Sequence, residues 1–167
     1  MSFSRWTPVQ VSRASASPTS PPSGRTSVLD GVYVALTTIL PEPGRSLVVV
    51  FTDGDDVSSW LVGSEVVDSA ARSNAVVYAV TSSRRREQRV LEQLTSTTGG
   101  DILRVASTAD LGSAFEKILR AFRSRYVLSY TPSGVNFGGF HRLDVRTKRR
   151  GLSVKARAGY IGVEPAK

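Results

Sequence analysis

The feature that most constrains this fold is an apolar run, Leu47–Phe51, that stops abruptly at a polar cluster. A continuous apolar run rich in β-branched residues is typical of a strand buried on both faces of a parallel sheet. The cluster Thr52–Asp56 then falls at the carboxyl end of the strand, where open α/β sheets bind their ligands. Its three carboxylates and one hydroxyl are hard oxygen donors of the kind that Mg²⁺ or Ca²⁺ prefers. The cluster also fits a solvated loop, with Asp as turn former and helix cap.

Helical and strand patterns alternate along the rest of the chain. Apolar residues at helical spacing predict helices at about 28–39, 58–73 and 87–98, and a fourth that is capped by Ser107 or Thr108. Apolar runs predict further strands at 75–80 and 101–105. Ser27 or Asp30 can cap the first helix, Ser58 or Ser59 can start the second, and Asn74 can end it. This alternation predicts a doubly wound, mostly parallel α/β sheet flanked by helices.

From Arg125 onward the pattern changes to that of an antiparallel extension. Residues 140–147 and 152–158 alternate between apolar and polar, and the turn 148–151 joins them. They predict a half-solvated hairpin attached to the parallel sheet. Its outer face would carry four basic residues, Arg142, Arg146, Lys155 and Arg157. Because no aromatic residues are interleaved with these charges, we interpret them as a solvated strand face and do not expect nucleic-acid binding there.

Composition narrows the possible functions. A chain of 167 residues suits one domain with a real core. It has no cysteine, which excludes disulfides, thiolate catalysis and zinc–thiolate sites, and no apolar run long enough to span a membrane. The net charge of +8, with basic clusters at Arg84–Arg86 and Lys148–Arg150, leaves open an alternative function as a basic surface-binding module for nucleic acid or other polyanions.

The residues give little support to an enzyme. His141 is the only histidine, and its place on a predicted strand favours a surface residue over a catalytic base. The sequence contains no nucleophile elbow, P-loop or dinucleotide-binding glycine motif. Phosphoryl transfer through an Asp nucleophile after the strand, at Asp53, remains an alternative. We therefore predict a non-enzymatic protein.

Several stretches together carry a resemblance to a known family. Residues 24–31 and 47–54 resemble the second half of a von Willebrand factor type A (VWFA) domain. The tail segments 125–132, 140–145 and 151–160 are similar to those of bacterial VWFA-related proteins. Serine, proline and threonine dominate the N-terminal stretch, so we expect a low-complexity, disordered leader at 1–23. The resemblance implies a partial VWFA-like α/β domain at 24–124, a C-terminal β extension packed on the sheet at 125–162, and a short tail at 163–167.

The resemblance also implies a function. Such domains bind proteins through a metal-ion-dependent adhesion site, in which Mg²⁺ (or Mn²⁺ or Ca²⁺) is completed by an acidic side chain of the partner. By position, Thr26 resembles the threonine of the family's second loop and Asp53 the aspartate of its third loop. Asp55 and Asp56 match no ligand position and are expected to have loop or cap roles.

One departure from the family matters for that function. The Asp-x-Ser-x-Ser motif is missing, and Arg13-Ala-Ser15-Ala-Ser17 only mimics its spacing, with arginine where the aspartate belongs. By this comparison the domain is N-terminally truncated, and we expect metal binding to be weak or absent. Without the family's first strand, Leu47–Phe51 would become an exposed apolar edge that invites self-association. Relatives are often exported, but the sequence does not fix the compartment.

Overall fold

The computed structural model describes residues 27–40, 44–53, 58–82, 89–128, 130–134, 136 and 138–162. The helices are α1 (Val28–Thr38), α2 (Gly63–Arg72), α3 (Arg89–Thr98) and α4 (Leu111–Arg123), with a 3-10 turn at Thr108–Asp110. The strands are β1 (Leu47–Thr52), β2 (Val76–Thr81), β3 (Ile102–Arg104), β4 (Phe140–Arg142) and β5 (Gly159–Ile161). The predicted α/β class is confirmed. None of the described helices is long and apolar enough to cross a membrane.

The first three strands form one parallel sheet in the order β1-β2-β3. β2 is central and buried at every position. β1 lies at the edge of this sheet, in register with β2 from Leu47 opposite Val76 to Thr52 opposite Thr81. The prediction that this run is buried on both faces is wrong in part, because Phe51 is 49% exposed and only Val48 is fully buried. An edge strand has one neighbour fewer to cover it.

The two faces of the sheet carry separate apolar layers because side chains alternate along a strand. Helices α1, α2 and α3 cover one face, where the buried side chains are Val32, Leu36, Val48, Val66, Ala70, Ala75, Val77, Ala79, Leu91 and Leu94. Helix α4 covers the other face, where Ala114, Ile118 and Phe122 pack on Val76, Tyr78 and Val80. Three helices thus cover one face and a single helix covers the other.

A reciprocal set of hydrogen bonds ties the start of α1 to the loop before α2. The Ser59 hydroxyl accepts from the backbone N–H groups of Leu29 (3.0 Å) and Asp30 (3.3 Å). In return, the Asp30 carboxylate accepts from the backbone N–H groups of Trp60 (3.1 Å) and Leu61 (3.1 Å). N–H groups in the first turn of a helix lack acceptors within the helix, and here a distant part of the chain caps two of them.

These contacts correct the predicted helix ends. Ser27 is the N-cap residue of α1 but makes no side-chain cap, and Asp30 lies inside the helix. Because Ser59 is engaged by α1, α2 begins at Gly63 and not at Ser58 or Ser59. At its other end the C-cap residue is Ser73, one residue before the predicted Asn74.

The hairpin is present but differs from the prediction in extent. β4 and β5 pair antiparallel, with Phe140 opposite Ile161 and Arg142 opposite Gly159. A turn falls within the predicted 148–151, but residues 143–158 form no strand and β5 begins only after them. The prediction of a second strand at 152–158 is therefore wrong.

β4 and β5 form a separate two-stranded sheet and do not join the parallel sheet. The backbone N–H of Ala158 donates to the Thr97 carbonyl (3.2 Å). The extension is thus bonded to the end of α3, and its strands do not add to the parallel sheet.

Arg157 corrects the prediction of a solvated basic face. Its guanidinium donates to the carbonyls of Ala71 (2.6 Å), Ser73 (3.4 Å) and Gly159 (2.6 Å). The first two belong to the carboxyl end of α2, where carbonyls lack partners within the helix. Lys155 is also engaged, in an ion pair with Asp101. Two of the four basic residues therefore hold the extension in place.

Candidate functional site

A cleft of about 250 Å³ opens at the carboxyl end of the parallel sheet. We call it the carboxyl-end cleft, and it is lined by Phe51, Thr52, Asp53, Val80, Ser82, Val105, Ser107, Thr108 and Leu111. These residues come from the ends of β1 and β2 and from the segment that joins β3 to α4. The location is the one at which open α/β sheets bind ligands.

Among the described residues that line this cleft, Asp53 is the one carboxylate. It follows β1 directly, and residues of the same parity in β1, Leu47 and Val49, pack in the layer beneath α4. Alternation along the strand thus directs Asp53 to the same face of the sheet. One carboxylate surrounded by hydroxyl groups is a set of hard oxygen donors that suits Mg²⁺ or Mn²⁺.

The hydroxyl groups of the carboxyl-end cleft come from three successive connections. Thr52 ends β1, Ser82 follows β2, and Ser107 and Thr108 follow β3. Ser107 is oriented by Asp110, whose carboxylate accepts from its backbone N–H (3.1 Å) and its hydroxyl (3.2 Å). Sequence reasoning did not group these residues with Asp53, although each of them lies at or just after the end of an apolar run. Because the carboxyl ends of parallel strands meet at one edge, that position is the signal that could have found them.

The structure leaves the other predicted site residues untested. Thr26 lies outside the described residues, as do Asp55, Asp56, Arg84–Arg86 and the Ser15/Ser17 pair. Within the described ranges no group of three or more His, Cys, Asp or Glu side chains could hold a metal ion. Any cation at Asp53 would therefore depend on hydroxyls, water and further carboxylates from elsewhere.

Three partly buried arginines, Arg45, Arg125 and Arg157, lie at the opposite, amino end of the sheet. Arg125 donates to the Tyr78 hydroxyl (3.2 Å) and to the Gly99 carbonyl. Burial lowers the pKa of Arg45, and the positive charge of Arg125 lowers it further. Burial, then the charge of Arg45, lowers the pKa of Arg157. Arg125 and Arg157 are satisfied by carbonyl and hydroxyl oxygens, so we read both as structural.

A second, aromatic cleft of about 480 Å³ lies on the extension, between residues 130–133 and the strands β4 and β5. His141 stacks on Tyr160, with ring centroids 5.1 Å apart and planes at 26°. Its Nε2 lies 3.1 Å from the Gly138 carbonyl oxygen. His141 thus lies on a strand as predicted and packs in a ring stack. No residue that lines this cleft also lines the carboxyl-end cleft, so the histidine and Asp53 do not share a pocket.

Comparison of the chain with protein-family models, with curated proteins and with solved structures finds no match. The resemblance to VWFA proteins therefore rests on the sequence segments named above. The α/β architecture and the carboxyl-end cleft stand independently of it.

Proposed function

We propose that this chain is a non-enzymatic protein-binding module of the VWFA kind, which contacts an acidic side chain of its partner at the carboxyl end of the sheet. The observation that carries the proposal is the place of Asp53, directly after β1 in a cleft that it shares with four hydroxyl-bearing residues. A cation held by neutral hydroxyls and few carboxylates keeps enough positive charge to attract a carboxylate from a partner.

The chemistry of the carboxyl-end cleft supports binding over catalysis. In the described part of the chain, its lining consists of one carboxylate, hydroxyl-bearing residues and apolar side chains, with no histidine, lysine or arginine among them. General acid–base catalysis would use a proton donor and acceptor pair, with pKa values shifted toward neutrality. The same shortage of charge predicts that the cation is held weakly, with a dissociation constant in the millimolar range.

The test is thermal unfolding in EDTA and in millimolar Mn²⁺ or Mg²⁺, for the native chain and for Asp53→Ala. A weak site stabilises the fold by mass action, so we expect a rise in Tm of about 2 °C at a few times the dissociation constant. Adding acetate or a short aspartate-containing peptide should increase this rise, because a carboxylate completes the coordination of the ion. The rise should disappear in Asp53→Ala.

Asp68→Ala is the matched control, because Asp68 is an exposed aspartate on α2 and lies outside the carboxyl-end cleft. It should keep the full response to metal. A Tm that is indifferent to metal in the native chain would refute the metal-dependent part of the proposal. A tight, stoichiometric site would refute the expectation that the site is incomplete.

A further inference from the structure

The outer edge of β1 carries no partner strand in the described part of the chain. The Ser46 carbonyl accepts from the N–H of Val76 in β2. Because backbone groups alternate in direction along a strand, those of Leu47, Val49 and Phe51 face the outer side, where another strand can pair with them. β3, at the other end of the sheet, is only three residues long and finishes in an exposed arginine, Arg104. Short length and charge are the usual means by which proteins blunt an edge, and β1 has neither.

The sequence of β1 favours pairing. Residues 47–52 contain no charged residue, proline or glycine, so nothing in the strand opposes the addition of a neighbour. Leu47 and Val49 are only partly buried, and Phe51 is 49% exposed. These three side chains lie on the face of the sheet that α4 covers. On the opposite face, helix α1 packs on the same strand. Apolar surface thus stays partly uncovered along β1 on the α4 side.

The charges that flank β1 select a partner and a register. Arg45 lies two residues before the strand and Asp53 directly after it. When two copies pair antiparallel with Val49 opposite Val49, each residue before Val49 lies opposite the residue that is equally far after Val49 in the second copy. Arg45 of each copy then lies opposite Asp53 of the other copy, so that one such pair stands at each end of the two paired strands.

Other arrangements lose this match. A shift of the register by one residue turns the second copy over, so that its α4 face lies beside the α1 face of the first copy, and it also separates Arg45 from Asp53. A shift by two residues keeps the faces but separates Arg45 from Asp53. Parallel pairing in register would set Arg45 against Arg45, and like charges directly opposite each other are destabilising. The antiparallel joint centred on Val49 is also two-fold symmetric, so it closes as a dimer and does not propagate into a fibre.

We propose that two copies of this chain associate through antiparallel pairing of β1, centred on Val49, to form a continuous six-stranded sheet. The Arg45–Asp53 pairs close the joint at each end, and Leu47 packs against Phe51 of the second copy. Arg45 is partly buried, and among the described residues it has no ion pair with a carboxylate. The dimer supplies one. The proposal uses the charge of Asp53 and is independent of metal binding.

The test is sedimentation equilibrium in EDTA at physiological ionic strength, from low to high micromolar protein. The native chain should show a concentration-dependent monomer–dimer equilibrium. Arg45→Asp and Asp53→Arg each convert two attractions per dimer into two repulsions. Each should therefore raise the dissociation constant at least about tenfold.

Mixing the two variants gives the decisive result. In a heterodimer of Arg45→Asp with Asp53→Arg, each end of the joint again pairs an aspartate with an arginine. An equimolar mixture should therefore dimerise although neither variant does so alone. Two solvent-exposed reversals of equal charge change serve as controls, Arg146→Asp on the extension and Asp68→Arg on α2. Neither should change the dissociation constant.

Far-UV circular dichroism of each variant establishes that it is folded before mixing. A native chain that stays monomeric at high micromolar concentration would overturn the proposal. A dimer that both reversals leave intact would overturn the assigned edge and register, as would a mixture of folded variants that fails to associate. Restored association in the mixture supports the proposed dimer, because the second variant could not restore dimerisation if the first had lost it through misfolding.

Discussion

β1 and β2 have the same length and almost the same composition, yet their environments differ. Each has six residues, mostly valine with one aromatic residue, and each ends in threonine. β2 is buried at all six positions, whereas in β1 only Val48 is fully buried. The apolar character of a strand therefore shows that it belongs to a sheet, but its burial is determined by the neighbours on either side.

The backbone of β2 is also satisfied where its neighbouring strand stops. Pairing with β3 begins only at Ala79. Two residues earlier, the N–H of Val77 donates to the hydroxyl of Thr98 at the end of α3 (3.0 Å). A side chain thus extends the hydrogen bonding of the central strand. In the described residues no comparable arrangement covers the outer edge of β1.

The largest expected effect comes from placing the same charge in both strands. Val77→Asp buries a carboxylate at a fully buried position and should reduce the free energy of unfolding by more than about 4 kcal/mol. Phe51→Asp, on the half-exposed strand, should reduce it by less than about 1.5 kcal/mol. Urea denaturation of dilute protein, followed by far-UV circular dichroism, measures both. Equal losses would show that β1 is as well covered as β2.

A second comparison, between two Gly→Ala substitutions, tests how closely the turn after α3 approaches the backbone of β2. A Cβ atom on Gly100 would lie 1.7 Å from the Val77 carbonyl oxygen, so Gly100→Ala forces the backbone apart. We expect a loss of about 3 kcal/mol in the free energy of unfolding. Gly112→Ala, in α4, meets no atom within 4 Å and should increase it by about 0.5–1 kcal/mol through helix propensity. Urea denaturation of both variants should give changes of opposite sign.

The smallest of the three expected losses in the free energy of unfolding concerns the Thr98 hydroxyl, which accepts a hydrogen bond from β2. Thr98→Val keeps the side-chain shape but leaves the buried N–H of Val77 without its acceptor, at a cost of about 1–3 kcal/mol. Thr38→Val is the control, because Thr38 is also the last residue of its helix, is exposed, and donates to the Val34 carbonyl of its own helix. It should change the free energy of unfolding by less than about 0.5 kcal/mol. Amide exchange at Val77 should quicken in Thr98→Val alone.

The parts of the fold that depend on local pattern could be predicted from the sequence. The three parallel strands, the alternation of strand and helix, and the turn of the hairpin follow from periodicity and from turn residues. The parts that depend on distant partners could not. Ser59 looks like a helix start but caps α1, 30 residues earlier in the chain. Arg157 looks like a solvated residue but caps α2.

The candidate site was predictable to the same degree. Asp53 stands out because it ends an apolar run. Ser82, Ser107 and Thr108 become its neighbours only once β1, β2 and β3 lie side by side. The pairing of strands decides which loops meet, and a single sequence carries that information weakly.

Arg157 has a consequence for how the molecule opens. Its two bonds to α2 span 84 and 86 residues of chain, so the last turn of α2 and the base of the hairpin are closed by one side chain. Neither can open without releasing the same guanidinium. The two segments should therefore behave as one cooperative unit of local unfolding, although they are distant in sequence and belong to different elements.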